Sequence, residues 1–506
     1  MNITDKMEKI KINAQDGASC EDFYIFGIIF RMSIAKRVFL NSAVLYSADL
    51  FSRFSSAFIT ILVARRLGSE DLGRFSYVNS VMAILTTIST FGLTTYFVRQ
   101  ASKDKDGDLE KFQSKIFFLR FFINFILAIG VFVYAQNFIS DPTIRILFHL
   151  SNLSSLISVY YTQWVLVYRV KEKMTFEGVV NVAASLLYGI GGGILILLNY
   201  GIVVLGYLLL LLGLFRALLF AIYVKKTLHF RLVPHLSLQD VILIFKQAYP
   251  FALMTIISVI YFRIDVILIE RFLGIAAVGF YSASYRIMEI LVAIPGIVSS
   301  VILPPISRYL EEAPDLVLQS SLQAMKLLNL IAFPLIVGGF LLAPNGILWL
   351  YGSSFGSSIP VFQILTLALL PLFNSAITAT IINASKKPQI NTYLAMVNLI
   401  VNVSLNLILI PRIGIMGAAI ATLANETTGL LLGYLYIRKA IFKLDFFSSL
   451  PKIILASVGM AVVILLERSL LLIPVYVMVY LFLVIVLKIF NREDFILIQK
   501  IRPQKL

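Results

Sequence analysis

Four ionisable side chains lie inside the largely apolar stretch of residues 251–308, away from its central break and its ends: Arg263, Asp265, Arg286 and Glu289. Two apolar runs in this stretch flank a break from Leu273-Gly274 to Val278-Gly279, and each run is long enough for a membrane helix of ~20 residues. At ~1.5 Å per helical residue, the two arginines lie ~10–15 Å below the tip of the hairpin. A charge at that depth is costly if it faces lipid, so we expect these side chains to face a cavity lined by protein or water.

The arginines indicate that this cavity receives an anion. A guanidinium presents a fork of N–H donors that suits phosphate oxygens. Arg53, Arg263 and Arg286 are the candidates within predicted spans. Arg120 and Arg216 are weaker candidates, because both lie toward the cytoplasmic ends of their spans, where snorkelling explains a cation.

Helical spacing offers a structural alternative for the same residues. Arg286 and Glu289 are spaced i,i+3 and can form a neutralised pair on one helix. Arg263 and Asp265 point to different sides of their helix, so Asp265 cannot neutralise Arg263 along it. Each of these two residues therefore needs a partner on another span. Arg286 is a candidate partner for Asp265, because the two lie at a similar depth in the membrane.

Acidic side chains inside the spans are candidates for binding and exchanging a proton or another ion. Glu289 is the nearest to midspan, followed by Asp265, Asp49 and Glu426. A permanent salt bridge is the alternative for each of them, and Asp49 lies one helical turn from Arg53.

Asn398, Asn402 and Asn406 form a polar stripe along one face of a predicted helix, one turn apart. Hydrogen bonding between helices is the favoured interpretation, since such contacts contribute ~0.6–2 kcal/mol each. The alternative is that Asn398 and Asn402 line a pathway for sugars.

Composition places these residues in a polytopic α-helical membrane protein. The chain has 506 residues, of which 59% are hydrophobic and 14% charged. The net charge of +16 is assigned to basic loops between spans rather than to nucleic-acid binding. The single Cys20 excludes an intramolecular disulfide, and the histidines His149, His229 and His235 lack metal-ligand spacing, so no metal or cofactor is expected.

The apolar runs predict fourteen transmembrane helices. They lie near residues 39–64, 75–98, 116–136, 144–168, 177–199, 202–224, 248–270, 279–303, 324–345, 359–384, 391–410, 415–437, 449–466 and 470–489. Basic residues are concentrated in alternate loops and in the tail, so both termini are predicted to be cytoplasmic. This predicts an N-terminal segment (1–38), an N-lobe (39–224), a cytoplasmic linker (225–247), a C-lobe (248–440) and a C-terminal helix pair with a basic tail (441–506).

An internal repeat relates the two predicted lobes. Residues 65–76 resemble residues 271–282 at an offset of 206, and Gly68 and Gly73 align with Gly274 and Gly279. Glycines allow a sharp reversal between helices. Six spans separate the copies, so the halves are parallel repeats, and transporters of this kind bind substrate between the repeats.

Two groups of residues carry a resemblance to a known family. The first is Arg263-Ile264-Asp265 with Gly274, Val278-Gly279-Phe280-Tyr281 and residues 283–285; the second is the asparagine stripe with residues 409–411 and 414–422. With the span count and the repeat, the whole chain resembles the polysaccharide flippases of the O-antigen (Wzx-like) type. These belong to the superfamily shared with multidrug and toxic-compound extruders and lipid II flippases.

The resemblance implies two six-helix lobes around a central cavity that moves a polyprenyl-diphosphate-linked oligosaccharide outward by alternating access. Undecaprenyl or another polyprenyl diphosphate is the implied carrier, in a cell membrane, with glycosyltransferases or polymerases as possible partners. We hypothesise that Arg263 and Arg286 hold the diphosphate in one access state and exchange to acidic partners in the other.

Three other functions compete with this one. Fourteen spans also resemble the lipid II flippases, in which the added pair forms a groove for the lipid tail. A drug or cation extruder on the same architecture is disfavoured, because the charge within the spans is balanced or basic. A membrane polymerase or acyltransferase is disfavoured because the chain has no catalytic constellation and no extramembrane domain, so we do not expect an enzyme.

Overall fold

The structure, a computed structural model, describes residues 20–103, 109–171, 173–227, 232, 236–443 and 450–489, with side chains from residue 44 onward except residue 46. These residues form helices joined by turns, and they contain no strand. The helices are α1 Cys20–Thr90, α2 Leu93–Lys103, α3 Leu109–Phe138, α4 Pro142–Val170, α5 Thr175–Leu197, α6 Val203–Thr227, α7 Leu238–Leu273, α8 Ile275–Leu291, α9 Ala293–Tyr309, α10 Pro314–Tyr351, α11 Ser358–Leu367, α12 Leu369–Ala384, α13 Gln389–Ile413, α14 Ile415–Ala440, α15 Leu450–Leu466 and α16 Ile473–Val486.

The helices are those of an integral membrane protein. Within the described ranges, ten helices or continuous helical runs are long and apolar enough to cross a membrane, and two further apolar helices are shorter. Large apolar side chains face outward, including Phe138 and Ile485 at 73% and 74% exposure, as lipid contact requires. Each predicted span coincides with a single helix, with one arm of α1, or with two consecutive helices. The number of spans, fourteen, stays a prediction.

Two glycines at equivalent positions of the repeat reverse the chain. Gly68 breaks α1 into two arms and has φ 84° and ψ −173°. Gly274, 206 residues later, separates α7 from α8 with φ 85° and ψ 179°. Glycine adopts this conformation at low cost because it has no Cβ. The shared conformation confirms the predicted reversal, although the second break is shorter than expected, because α8 already begins at Ile275.

A reciprocal contact joins the halves beside these turns. A Cβ at Gly73 would overlap the backbone carbonyl of Ile275, and a Cβ at Gly279 would overlap the backbone carbonyl of Ser69. Gly73 and Gly279 are equivalent in the repeat, as are Ser69 and Ile275. The second arm of α1 and the start of α8 therefore cross symmetrically, and α1 also packs against α5 and α7.

The last two helices lie outside the repeat and pack against α10. Ile453, Met460 and Tyr476 form a separate apolar cluster with Leu330 and Leu342 of α10. The Tyr480 hydroxyl donates to the Leu330 carbonyl at 2.9 Å. The predicted segment boundaries stay predictions, and residues 1–19 and 490–506, His229 and His235 lie outside the described residues.

Candidate functional site

A cavity of about 430 Å³ lies between the two halves of the repeat. The first half contributes residues of α1, α5 and α6: Ser52, Ser56, Phe75, Ser76, Asn79, Ser80, Ala184, Ser185, Tyr188, Leu209, Leu212 and Arg216. The second half contributes residues of α7 and α8: Arg263, Val266, Ser282, Tyr285, Arg286 and Glu289. The cavity therefore has one charged wall and one mainly neutral wall.

The charged wall is organised around the carboxylate of Glu289. Arg263 Nη1 lies 3.0 Å from Glu289 Oε1, and Arg286 Nη1 lies 2.6 Å from Glu289 Oε2. Arg53 approaches from the first half, where its Nη1 donates to the Glu289 backbone carbonyl at 2.9 Å and its Nε pairs with Asp49 at 2.8 Å. Two guanidinium groups share one carboxylate, so this wall carries an excess of positive charge.

The α7–α8 hairpin brings these residues together because its arms match in length. Arg263 lies eleven residues before Gly274, and Arg286 lies twelve residues after it. At ~1.5 Å per residue, both side chains start at nearly the same distance from the turn. The predicted i,i+3 pair of Arg286 and Glu289 is formed. The Glu289 carboxylate also pairs with Arg263, so it contacts two cations.

Asp265 lies on the other side of α7, in the interior of the second half. It accepts hydrogen bonds from Tyr281 at 2.8 Å, from Asn406 at 2.7 Å and from Thr422 at 3.3 Å. Among the described residues it has no ion pair, so the expected pairing with Arg286 is wrong in this structure. The depth of a residue along a helix does not specify the face on which it lies.

The asparagine stripe of α13 contributes to this interior cluster and not to the cavity. Asn402 and Asn406 are 1% and 0% exposed, and Asn406 Nδ2 lies 3.1 Å from Asn402 Oδ1. The bond from Asn406 to Asp265 confirms the favoured interpretation, hydrogen bonding between helices, for Asn406. Neither Asn398 nor Asn402 is brought to the cavity lining, because their helix packs against α7 and α14 within the second half.

Of the remaining acidic candidates, Glu426 lies apart from the Glu289 cluster, whereas Asp49 is linked to it through Arg53. Glu426 of α14 is buried and accepts a hydrogen bond from the Tyr261 hydroxyl of α7. The Asp49 side chain is 55% exposed, and its i,i+4 pair with Arg53 is formed.

Arg216 lines the cavity from α6, although its position near a span end suggested snorkelling. Its Nε is buried and has no hydrogen-bond partner within the described ranges. The sequence contains a signal for this placement, since Leu209, Leu212 and Arg216 are spaced at three and four residues and share one helix face. All three line the cavity.

Arg120 is buried rather than snorkelled. Its residue is 4% exposed, and its guanidinium donates to Gln163 Oε1 at 3.1 Å and to Thr162 Oγ1 at 3.0 Å. It therefore joins α3 to α4 inside the first half and does not line the cavity.

Two proteins with similar sequences are named as a probable flippase and as a transport protein. The chain is 29% identical over 207 residues to the probable flippase AglR of Haloferax volcanii, covering 40% of this chain and 43% of that protein. It is 25% identical over 322 residues to the succinoglycan biosynthesis transport protein ExoT of Rhizobium meliloti, covering 62% of this chain and 63% of that protein. Each match spans less than two thirds of the relative's own length.

Solved structures show the same fold. The lipid II flippase MurJ in an inward closed conformation superimposes with a TM-score of 0.74 at 18% identity, covering 89% of this chain and 99% of that chain. An inward-facing multidrug resistance MATE family transporter of the MOP superfamily superimposes with a TM-score of 0.65 at 16% identity, covering 77% of this chain and 94% of that chain. At these identities the likeness establishes the polytopic helical fold.

The family model described as "Polysaccharide biosynthesis protein" matches residues 62–360, which include the α1 and α8 turns and the Arg263, Arg286 and Glu289 cluster. That match covers more than half of the chain, and the chain therefore belongs to the polysaccharide biosynthesis protein family.

Proposed function

We propose that this protein is a flippase that moves a polyprenyl-diphosphate-linked oligosaccharide from the cytoplasmic to the outer leaflet of a cell membrane. One observation carries the proposal: two arginines share a single carboxylate in a cavity between two repeated halves. The family and the relatives named as flippase or transport proteins support a transporter rather than an enzyme. Substrate between parallel repeats is the usual arrangement in secondary transporters.

The cation cluster supports a diphosphate as the part of the cargo that is held. A diphosphate competes with Glu289 for Arg263 and Arg286, because both ligands offer oxygens to the same guanidinium forks. Arg216 faces the cavity from the first half with an unpartnered Nε. In this proposal the two halves hold the anion together, and Glu289 takes the arginines back when the diphosphate leaves.

Contacts beside the Gly68 and Gly274 turns support alternating access. Arg65 Nε donates to the Leu350 carbonyl at 2.7 Å, and its Nη2 donates to the carbonyl of Trp349, which joins α1 to the end of α10. The predicted topology, with cytoplasmic termini, puts this contact and the glycine crossing on the outer side. The halves are then closed on the outer side in this state, and cargo enters from the cytoplasmic side.

Asp265 is the best supported site for coupling to an ion gradient. Its carboxylate is buried and has only neutral partners, whereas Glu289 is occupied by two arginines. A buried carboxylate whose neighbours are neutral hydrogen-bond donors has no countercharge, and an exchanged proton or small cation would supply one. Asp265→Asn should abolish the response of transport in proteoliposomes to proton or sodium gradients, while Glu70→Gln, an exposed outer-side variant, should keep it. A gradient response that survives Asp265→Asn contradicts this assignment.

Binding of inorganic pyrophosphate to the purified protein tests the anion site. Each of Arg263→Gln and Arg286→Gln should weaken binding by roughly 10- to 100-fold, because hydrogen bonds to charged groups contribute ~1.5–3 kcal/mol. Arg145→Gln is the matched control, since Arg145 donates to the Ile139 carbonyl and does not line the cavity. Unchanged pyrophosphate affinity in both cavity variants would rule out the anion site.

A further inference from the structure

The part of the cavity lining that comes from α1 and α5 is rich in small hydroxyl side chains. It includes six polar residues of α1 and α5: Ser52, Ser56, Ser76, Asn79, Ser80 and Ser185. We call these six residues the serine wall. It carries no charge, so its chemistry differs from that of the α7–α8 wall.

The hydroxyl groups of the serine wall are free to bind a ligand. Ser76, Ser80 and Ser185 are 9%, 2% and 4% exposed, yet their side chains form no hydrogen bond within the described part of the chain. Serine and threonine hydroxyls inside helices commonly donate to a carbonyl one turn earlier. On α1 itself, Thr60 donates to Ser56 and Thr86 to Met82 in this way. The cavity-facing serines depart from that pattern.

The side chains of Ser76, Ser80 and Ser185 border the cavity, where a ligand or water can complete their hydrogen bonds. The serines are placed to act together, because Ser52 and Ser56 are one turn apart on the first arm of α1, and Ser76 and Ser80 are one turn apart on the second. A neutral array of donors and acceptors matches a ligand that itself carries several hydroxyl groups. It does not match a phosphate, which needs the cations of the α7–α8 wall.

We infer that the serine wall is the binding subsite for the sugar next to the diphosphate. The inference rests on the proposed function and adds an orientation: the cargo lies across the cavity, with its phosphates held by α7, α8 and Arg216 of α6 and its first sugar against α1 and α5. The wall then discriminates between glycans, whereas the arginines recognise the diphosphate that all such cargoes share.

Three probes separate the two walls in equilibrium binding to the full-length protein: inorganic pyrophosphate, farnesyl diphosphate, and farnesyl diphosphates carrying one glucose or one N-acetylglucosamine. Wild-type protein should bind at least one sugar-bearing probe more tightly than farnesyl diphosphate. Ser80→Ala and Ser185→Ala should each weaken the binding of that sugar-bearing probe by roughly two- to tenfold, which is the effect of one lost hydrogen bond. Pyrophosphate affinity should stay within about twofold, since neither serine faces the phosphates.

Ser158→Ala provides the matched control, because the Ser158 hydroxyl donates to the Ser155 carbonyl at 2.7 Å and does not line the cavity. Ser80→Ala should also keep or raise the thermal unfolding temperature, because it removes a hydroxyl that has no hydrogen-bond partner among the described residues.

Any of three results would contradict the sugar subsite: no gain in affinity from either sugar, an equal loss of affinity for all probes in the serine variants, or a lower unfolding temperature for Ser80→Ala. Failure of wild-type protein to bind pyrophosphate at all instead contradicts the proposed function.

Discussion

Glu289 holds two guanidinium groups at once, so at the scale of single residues it is the internal competitor of any anion in the cavity. An unliganded cation pair in a membrane protein is costly, and a nearby carboxylate reduces that cost between transport cycles. The same carboxylate lowers the affinity for cargo, which a transporter needs in order to release it.

Replacing Glu289 with Gln tests this competition. Glu289→Gln should tighten pyrophosphate binding by roughly tenfold or more, because a charge-assisted contact no longer has to be broken. Transport should become slower, because no carboxylate then displaces the diphosphate of the cargo from the arginines. Glu311→Gln is the control, because Glu311 forms an exposed pair with Lys386 away from the cavity. Weaker pyrophosphate binding in Glu289→Gln would show that the carboxylate orients the arginines rather than competing for them.

The same residues show how far the site could be predicted. Arg263, Arg286 and Glu289 were identifiable because charge inside an apolar run needs a polar environment. The hydrogen-bond partners of Asp265 could not be identified from the sequence, because Asn406 and Thr422 belong to helices whose packing no local pattern specifies. Depth within the span alone predicts snorkelling for Arg216. The face of the helix on which it lies, shared with Leu209 and Leu212, indicates the cavity instead.

At the scale of helices, the glycines of the repeat have two different tasks. Gly68 and Gly274 are required by their left-handed φ, and this was predictable from the turn they occupy. Gly73 and Gly279 have ordinary helical positions and are required instead by the close approach of another backbone. The alignment of the repeat marked both pairs, but only the fold shows that Gly73 lies against Ile275 rather than against its own hairpin.

Gly279→Ala should separate α1 from α8 beside the turns. The added methyl group has to reach van der Waals distance from the Ser69 carbonyl, which requires a shift of ~1–2 Å. Spin labels at Arg66 and Phe272, equivalent exposed positions, measure the change as a longer or broader distance distribution in a Cys20→Ser background.

Gly130→Ala serves as the control for that experiment, since a Cβ there meets no neighbouring atom. An unchanged distance distribution in Gly279→Ala would mean that the crossing is not a tight backbone contact.

At the scale of the whole molecule, the repeat builds one cavity from two chemically different walls. The membrane class and the two related halves follow from apolar runs and from the aligned glycines, and the structure confirms the apolar helices and the matching turns at Gly68 and Gly274. The position of α15 and α16 against α10 could not be predicted, because any lipid-facing helix offers a similarly apolar surface. The volume of the cavity likewise depends on how the halves pack.

Transbilayer movement of a fluorescent polyprenyl-diphosphate oligosaccharide in proteoliposomes tests the central claim most directly. Quenching from outside reports the fraction in the outer leaflet over time. Wild-type protein and Arg145→Gln should accelerate the exchange, and the double variant Arg263→Gln, Arg286→Gln should fall to the rate of protein-free vesicles. An inactive wild-type protein, or a double variant as fast as the wild type, would contradict the account.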